Sequence, residues 1–214
     1  MSSMRFNRLK QIDRTIFPDQ LSQALARETA GAESVLDLGC GAGGPFLKVP
    51  RLRRLVGVDG HIPSLEKLRS TGIYDELDEQ ANTEVEFPAI SFVVVTAMVV
   101  VEHFEEQDAL AFIAKMERWA SRKVIIHTPN GFLPQPVYDS NPWQVHKCGF
   151  TVSRLREMGY RVSGTGGPKW LRKEFSEFKY RPAFLWHRIS GVVQPVTRLV
   201  PQWSFGIFAV KDIV

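Results

Sequence analysis

The stretch Val35-Leu36-Asp37-Leu38-Gly39-Cys40-Gly41-Ala42-Gly43-Gly44 decides the fold. Four residues of strand character run straight into a glycine-rich turn. Gly39, Gly41 and Gly43 carry no Cβ, so the backbone there can turn tightly and approach a ligand closely. In an open parallel sheet such a turn lies at the carboxyl ends of the strands, where ligands bind. Asp59 closes the next strand-like run, 55–59, twenty residues after Gly39. A carboxylate at that point can accept two hydrogen bonds from ribose hydroxyls. Gly39-x-Gly41-x-x-Gly44 also satisfies the dinucleotide fingerprint, so the glycines alone leave a nicotinamide cofactor open. Two features weigh against it. Asp37 stands two residues before the first glycine, and Pro45 follows Gly44 where a pyrophosphate site would present a long helix.

Outward from this loop, strand and helix patterns alternate. Strands are predicted at 35–38, 55–59, 84–87, 92–98, 124–127, 160–163 and 205–210, and helices at 63–69 and 107–120. Thr151 is the expected N-cap of a further helix ending at Gly159. Before the loop, residues 5–30 read as helix, with Leu9, Ile12 and Ile16, then Leu21 and Leu25, at helical spacing and a break at Pro18. The alternation predicts an α/β fold, Rossmann-like, with a mostly parallel seven-stranded sheet and helices on both faces. The expected divisions are an N-terminal helical segment at 1–32, a core at 33–164, a basic aromatic insertion or cap at 165–204, and the last core strand at 205–214.

The 214 residues, 44% hydrophobic and 23% charged, suit one globular domain that folds without metal or disulfide staples. The two cysteines, Cys40 in the loop and Cys148, disfavour a bridge and make a reducing, cytoplasmic setting the expectation. The polar, basic N-terminus has no signal-peptide pattern, and the longest apolar run, 92–101, is too short to span a bilayer.

The segments VLDLGCGAGG (35–44), VGVDG (56–60), VVVEHF (99–104) and VIIHTPNGF (124–132) resemble the class I S-adenosylmethionine (SAM)-dependent methyltransferases, in particular the methyltransferase type 11 group. The resemblance covers about 33–164, with 205–210 as the usual last strand. It implies SAM as cofactor and S-adenosylhomocysteine (SAH) as product. SAM has no phosphate and carries positive sulfonium and ammonium groups, which suits an acidic residue at the loop. By resemblance Asp37, Gly39, Gly41 and Gly43 hold the methionine part, Asp59 the ribose, and Ile62 packs on the adenine, with Cys40 and Gly60 also among the cofactor-binding residues. Asn82 stands where an acidic residue commonly meets the adenine amino group. The sequence departs from the group at Val93 and at Val99, where acidic residues are usual. A non-catalytic binding protein of the same fold is therefore a second reading.

Methyl transfer needs positioning and exclusion of water, and a base only if the acceptor must lose a proton. Glu102, His103 and His127 stand at predicted strand ends as candidates. Each has a plainer role available, Glu102-His103 as the start of a loop capping the next helix and His127 as the lead into a Pro-Asn-Gly turn. Asn141-Pro142-Trp143 resembles the signature of amino-methylating nucleic-acid enzymes, but it follows the wrong strand. His146 and Cys148 form no metal set with their sequence neighbours, and no metal is expected.

Residues 165–204 hold seven Lys or Arg against two Glu, together with seven aromatics, so the segment is basic while the remainder is near neutral. Leu185, Ile189, Val192, Val196 and Leu199 share one helical face, though Gly191 and Pro195 weaken a single helix there. Three readings compete: a solvated insertion, a substrate lid in peripheral contact with a membrane, and a nucleic-acid surface. The expected activity is methyl transfer to a small-molecule or lipid-like acceptor, with an RNA methyltransferase as the alternative. The expected location is cytoplasmic, with membrane association as a variant of it.

Overall fold

The computed structural model describes residues 20–137, 142–173 and 177–214. Its strands are β1 (Val35–Leu38), β2 (Leu55–Val58), β3 (Glu76–Asp78), β4 (Phe92–Met98), β5 (Ala120–Pro129), β6 (Arg161–Pro168) and β7 (Ser204–Asp212). The helices are α1 (Gln20–Thr29), α2 (Ile62–Arg69), α3 (Glu106–Trp119), α4 (Val152–Glu157) and α5 (Ala183–Leu199). The sheet runs β3-β2-β1-β4-β5-β7-β6. Only β7 is antiparallel to its neighbours. This is the mostly parallel seven-stranded α/β fold expected from the alternation. The part of the predicted N-terminal helix before residue 20 lies outside the described residues.

The central strands are apolar throughout because both faces are covered. Alternate residues supply two separate cores. Leu36, Leu38, Val95 and Ile126 meet Phe112, Ile113, Met116 and Trp119 of α3 on one face. Val35, Val94 and Ile125 meet Leu25 of α1 and Leu65 and Leu68 of α2 on the other. Thr151 caps α4 as expected, its hydroxyl accepting from the Arg154 N–H, and Gly159 ends the turn at a φ of 89°.

Three expectations are corrected. The third strand is Glu76–Asp78, not 84–87, because β2 is already paired in register with Glu76, Leu77 and Asp78. The chain at 81–85 turns instead, the Glu84 and Val85 N–H groups both donating to the Ala81 carbonyl. Residues 165–168 belong to β6 and not to an insertion. Gly191 and Pro195 do not divide α5, which is a single helix of 17 residues.

The orientation of α5 is the unexpected part. Its buried side is polar, made of Ser190, Gln194 and Thr197. They seat on the glycine-rich backbone of β6, where a Cβ on Gly164 would collide with the Thr197 carbonyl and one on Gly167 with the Ser190 hydroxyl. The apolar stripe faces outward: Val192 is 71% and Leu199 81% exposed, with Leu185 and Val196 beside them. The pattern of a packed helix is inverted.

Candidate functional site

The glycine loop is fixed from two sides. Asp59, at the end of β2, accepts from the Gly41 N–H at 2.8 Å and from the His61 N–H at 2.7 Å. Asn82 accepts from the Gly39 N–H at 3.0 Å. Gly39 and Gly41 have φ of 66° and 51°, a region that favours glycine. A Cβ on Gly39 would collide with Val100, whereas one on Gly41 would meet nothing nearer than the Asp59 carboxylate at 4.0 Å. The loop therefore presents an open concave backbone at Gly41. After it, Gly44–Lys48 is a short 3₁₀ turn with Pro at its start. That agrees with the absence of a long helix read from Pro45. Cys40 is buried, its thiol pushed up by burial and the charges of Asp37 and Asp59.

Asp37 lies beneath the loop. Its carboxyl accepts from the Tyr74 hydroxyl at 2.6 Å and from the Thr96 hydroxyl at 2.8 Å. Burial pushes it up to about 7, against the lowering effect of those two hydroxyls. Its role here is to tie β1 to β4 and to Tyr74, and neither hydroxyl partner was singled out in the sequence. The Asn82 amide oxygen keeps a second lone pair beside its bond to Gly39. Ile62 is exposed at the start of α2. Over Gly60 lies the indole of Trp143, which would meet a Cβ placed there at 2.9 Å. Asn141 lies outside the described residues.

At the end of β4 the backbone is strained. Val99 has a φ of 62°, which a β-branched residue rarely adopts and which recurs at functional sites. Its N–H donates to the His127 carbonyl at 2.7 Å. The next turn, Val101–His103, brings Glu102 inward to 1% exposure. Neither Glu102 nor His103 caps α3, whose N-cap is Glu105. The Glu102 carbonyl accepts from the Lys147 and Cys148 N–H groups at 2.8 and 3.2 Å, which draws His146 against the same turn. The His103 and His146 rings stand 4.9 Å apart between centroids. Glu102, His103 and His146 thus form one cluster, each offering a ligating atom within 4.8 Å of the others. Sequence spacing hid this, since His146 comes from a loop beyond β5. Burial raises the Glu102 carboxyl to about 8, against the lowering influence of the turn's backbone and of the nearby Thr128 hydroxyl. It also holds both imidazoles below their ordinary value.

His127 is not part of this cluster. Its Nε2 is 2.9 Å from the Thr165 hydroxyl on β6. Asn130 is buried and structural, its amide donating to the carbonyls of Pro201, Gln202 and Ser204. Beside the strand ends opens a cavity of about 870 Å³, with Val99, His127, His146, Arg172, His187 and Gln194 among its walls.

Comparison with known proteins agrees with this geometry. Residues 35–123 match the family described as methyltransferase domain. No curated protein matches the sequence. DhpI in complex with SAH is similar over 95% of this chain and 90% of its own, at 15% identity and a TM-score of 0.56. Magnesium protoporphyrin IX methyltransferase (ChlM) from Synechocystis PCC 6803, with bound SAH, is similar over 99% and 95%, at 12% identity and a TM-score of 0.55. The small RNA methyltransferase HEN1 is similar over 89% of this chain but only 24% of its own, at 17% identity and a TM-score of 0.58. The matched stretch is a methyltransferase domain, and the fold is the one these SAM-dependent methyltransferases of known structure share. That is the class the glycine loop resembled in the sequence.

Proposed function

We propose that the chain transfers a methyl group to a small-molecule or lipid-like acceptor held in the cavity beside β4 and β5. SAM, the cofactor of the class, supplies the methyl on a sulfonium. The chain's residues fit it: Gly41 leaves an open backbone, Gly39 and Gly43 keep the turn tight, and the Asp59 carboxylate has lone pairs to spare for ribose hydroxyls. Ile62, Gly60 and Asn82 stand around the expected adenine position, and Trp143 roofs Gly60.

The observation that carries the acceptor class is the cavity. Its volume of about 870 Å³ suits an organic molecule of moderate size. Of the basic residues of 165–204, Lys169, Arg172 and Lys173 are engaged within the chain. Lys169 donates to the Asn130 carbonyl, Arg172 donates to the Gly166 carbonyl and lies over Phe178, and Lys173 pairs with Glu177. The similar structures include both a magnesium protoporphyrin IX methyltransferase and a small RNA methyltransferase, so a direct assay must separate the two acceptor classes. Methyl-labelled SAM is incubated with the protein and either extracted small molecules and lipids or total RNA. Label in the organic-soluble fraction is expected. Label in RNA alone overturns the reading, and SAH binding without turnover on either points to a non-catalytic binder.

A second feature favours contact with a lipid surface. The outward stripe of α5 is apolar, the helix holds Arg188 and Arg198 and no acidic residue, and Trp203 is exposed beyond its end. Basic apolar helices of this kind lie in anionic membrane interfaces. Among the described residues no helix is long and apolar enough to cross a membrane, so the contact proposed is peripheral.

A further inference from the structure

Glu102 stands out among the described residues. It is almost wholly buried, and neither carboxylate oxygen has a partner at hydrogen-bond geometry. The hydroxyl of the neighbouring Thr128 is likewise without one. An unpaired buried carboxylate is costly, and such groups are normally paired or bound to a cation. Two imidazoles face it. The Nδ1 of His146 is 2.6 Å from the Leu133 carbonyl and that of His103 is 3.2 Å from the Val145 carbonyl. A carbonyl can only accept, so the Nδ1 of His146 carries the proton and its Nε2 keeps its lone pair. The His146 Nε2 is buried and has no hydrogen-bond partner.

We infer that Glu102, His103 and His146 bind a divalent transition-metal ion such as Zn²⁺. Two imidazoles and one carboxylate suit such an ion better than Mg²⁺ or Ca²⁺, which favour oxygen ligands throughout. The ligating atoms lie within 4.8 Å of one another. Around a tetrahedral ion with bonds of about 2.0–2.2 Å they sit about 3.4 Å apart, so the site closes by little more than an ångström. The backbone carbonyl of Leu133 already fixes the orientation of the His146 ring that binding needs. Three protein ligands leave at least one position open. His146 lines the large cavity, so that position is available to an oxygen of the acceptor. The ion's part in choosing an oxygen-bearing acceptor rests on the methyl-transfer reading; its binding does not.

The test uses the full chain without a histidine tag, stripped with chelator and titrated with Zn²⁺ by calorimetry and with Co²⁺ by visible absorption. One ion per chain is expected. Glu102→Gln and His146→Ala should each weaken it by at least about a hundredfold. Glu102→Gln is close to isosteric and removes a buried acid, so a folded variant is expected, checked by circular dichroism. SAH affinity, measured beside it, should change less than about twofold in Glu102→Gln. Absence of stoichiometric binding, or binding that both variants retain, overturns the site. Loss of SAH binding by the parent chain with the ion still bound would leave the metal site standing and remove only the methyl-transfer reading.

Discussion

Gln194 on α5 accepts a hydrogen bond from the Gly167 N–H at 2.6 Å and donates one to the Gly164 carbonyl at 2.9 Å. A helix that would ordinarily bury its apolar stripe is held instead by an amide that satisfies two backbone groups of β6. Glycines at 164 and 167 make the approach possible.

This relationship sets a stability prediction. Gln194→Leu leaves two buried backbone groups unpaired and should cost about 2–4 kcal/mol in a urea titration. Leu199→Ala, on the exposed stripe, should stay within about 0.5 kcal/mol. Equal losses for the two would mean that α5 is held by its apolar face after all.

The same inversion predicts lipid binding. The parent chain should co-sediment with vesicles containing phosphatidylserine, less so at high salt, and weakly with phosphatidylcholine alone. Replacing Val192 and Leu199 together by Glu should reduce the bound fraction at least about tenfold with the melting temperature unchanged. Binding insensitive to these changes would exclude α5 as the contact.

Asp37 predicts a pH dependence. Its carboxyl titrates at about 7 in the folded chain against a reference of 3.8, so the folded chain holds the proton more tightly. The stability this gives is complete below about pH 4 and is lost as pH rises through about 7. Tyr74 and Cys40, which face it, are pushed above their ordinary values and do not titrate in that window, while Asp59 adds a like charge. Asp37→Asn has no such titration. Denaturant midpoints at about pH 5 and pH 8 should show the parent losing more than about 1 kcal/mol relative to the variant. Parallel pH profiles would contradict the burial of that carboxyl.

Much of this was legible in the chain. The β-branched run of β4, the glycine loop and Asp59 are local patterns, and the sheet places them as expected. The third strand was misplaced because Val85 and Phe87 alternate like a strand, yet pairing with β2 went to Glu76–Asp78. The outward stripe of α5 was readable as a stripe, but periodicity cannot say which way it faces. What turned it was Gln194 finding partners on β6, a contact across 27 residues. His146 was missed as a ligand candidate for a related reason. Its approach to Glu102 depends on backbone hydrogen bonds from 147 and 148 to a turn more than forty residues earlier.

On this account the glycine loop and Asp59 hold SAM. Calorimetric titration of the purified protein with SAM and with SAH, beside Asp59→Ala, tests it most directly. Binding in the micromolar range that weakens at least about tenfold in the variant, about 1.4 kcal/mol, is the predicted result. No binding of either ligand by the parent protein would contradict it.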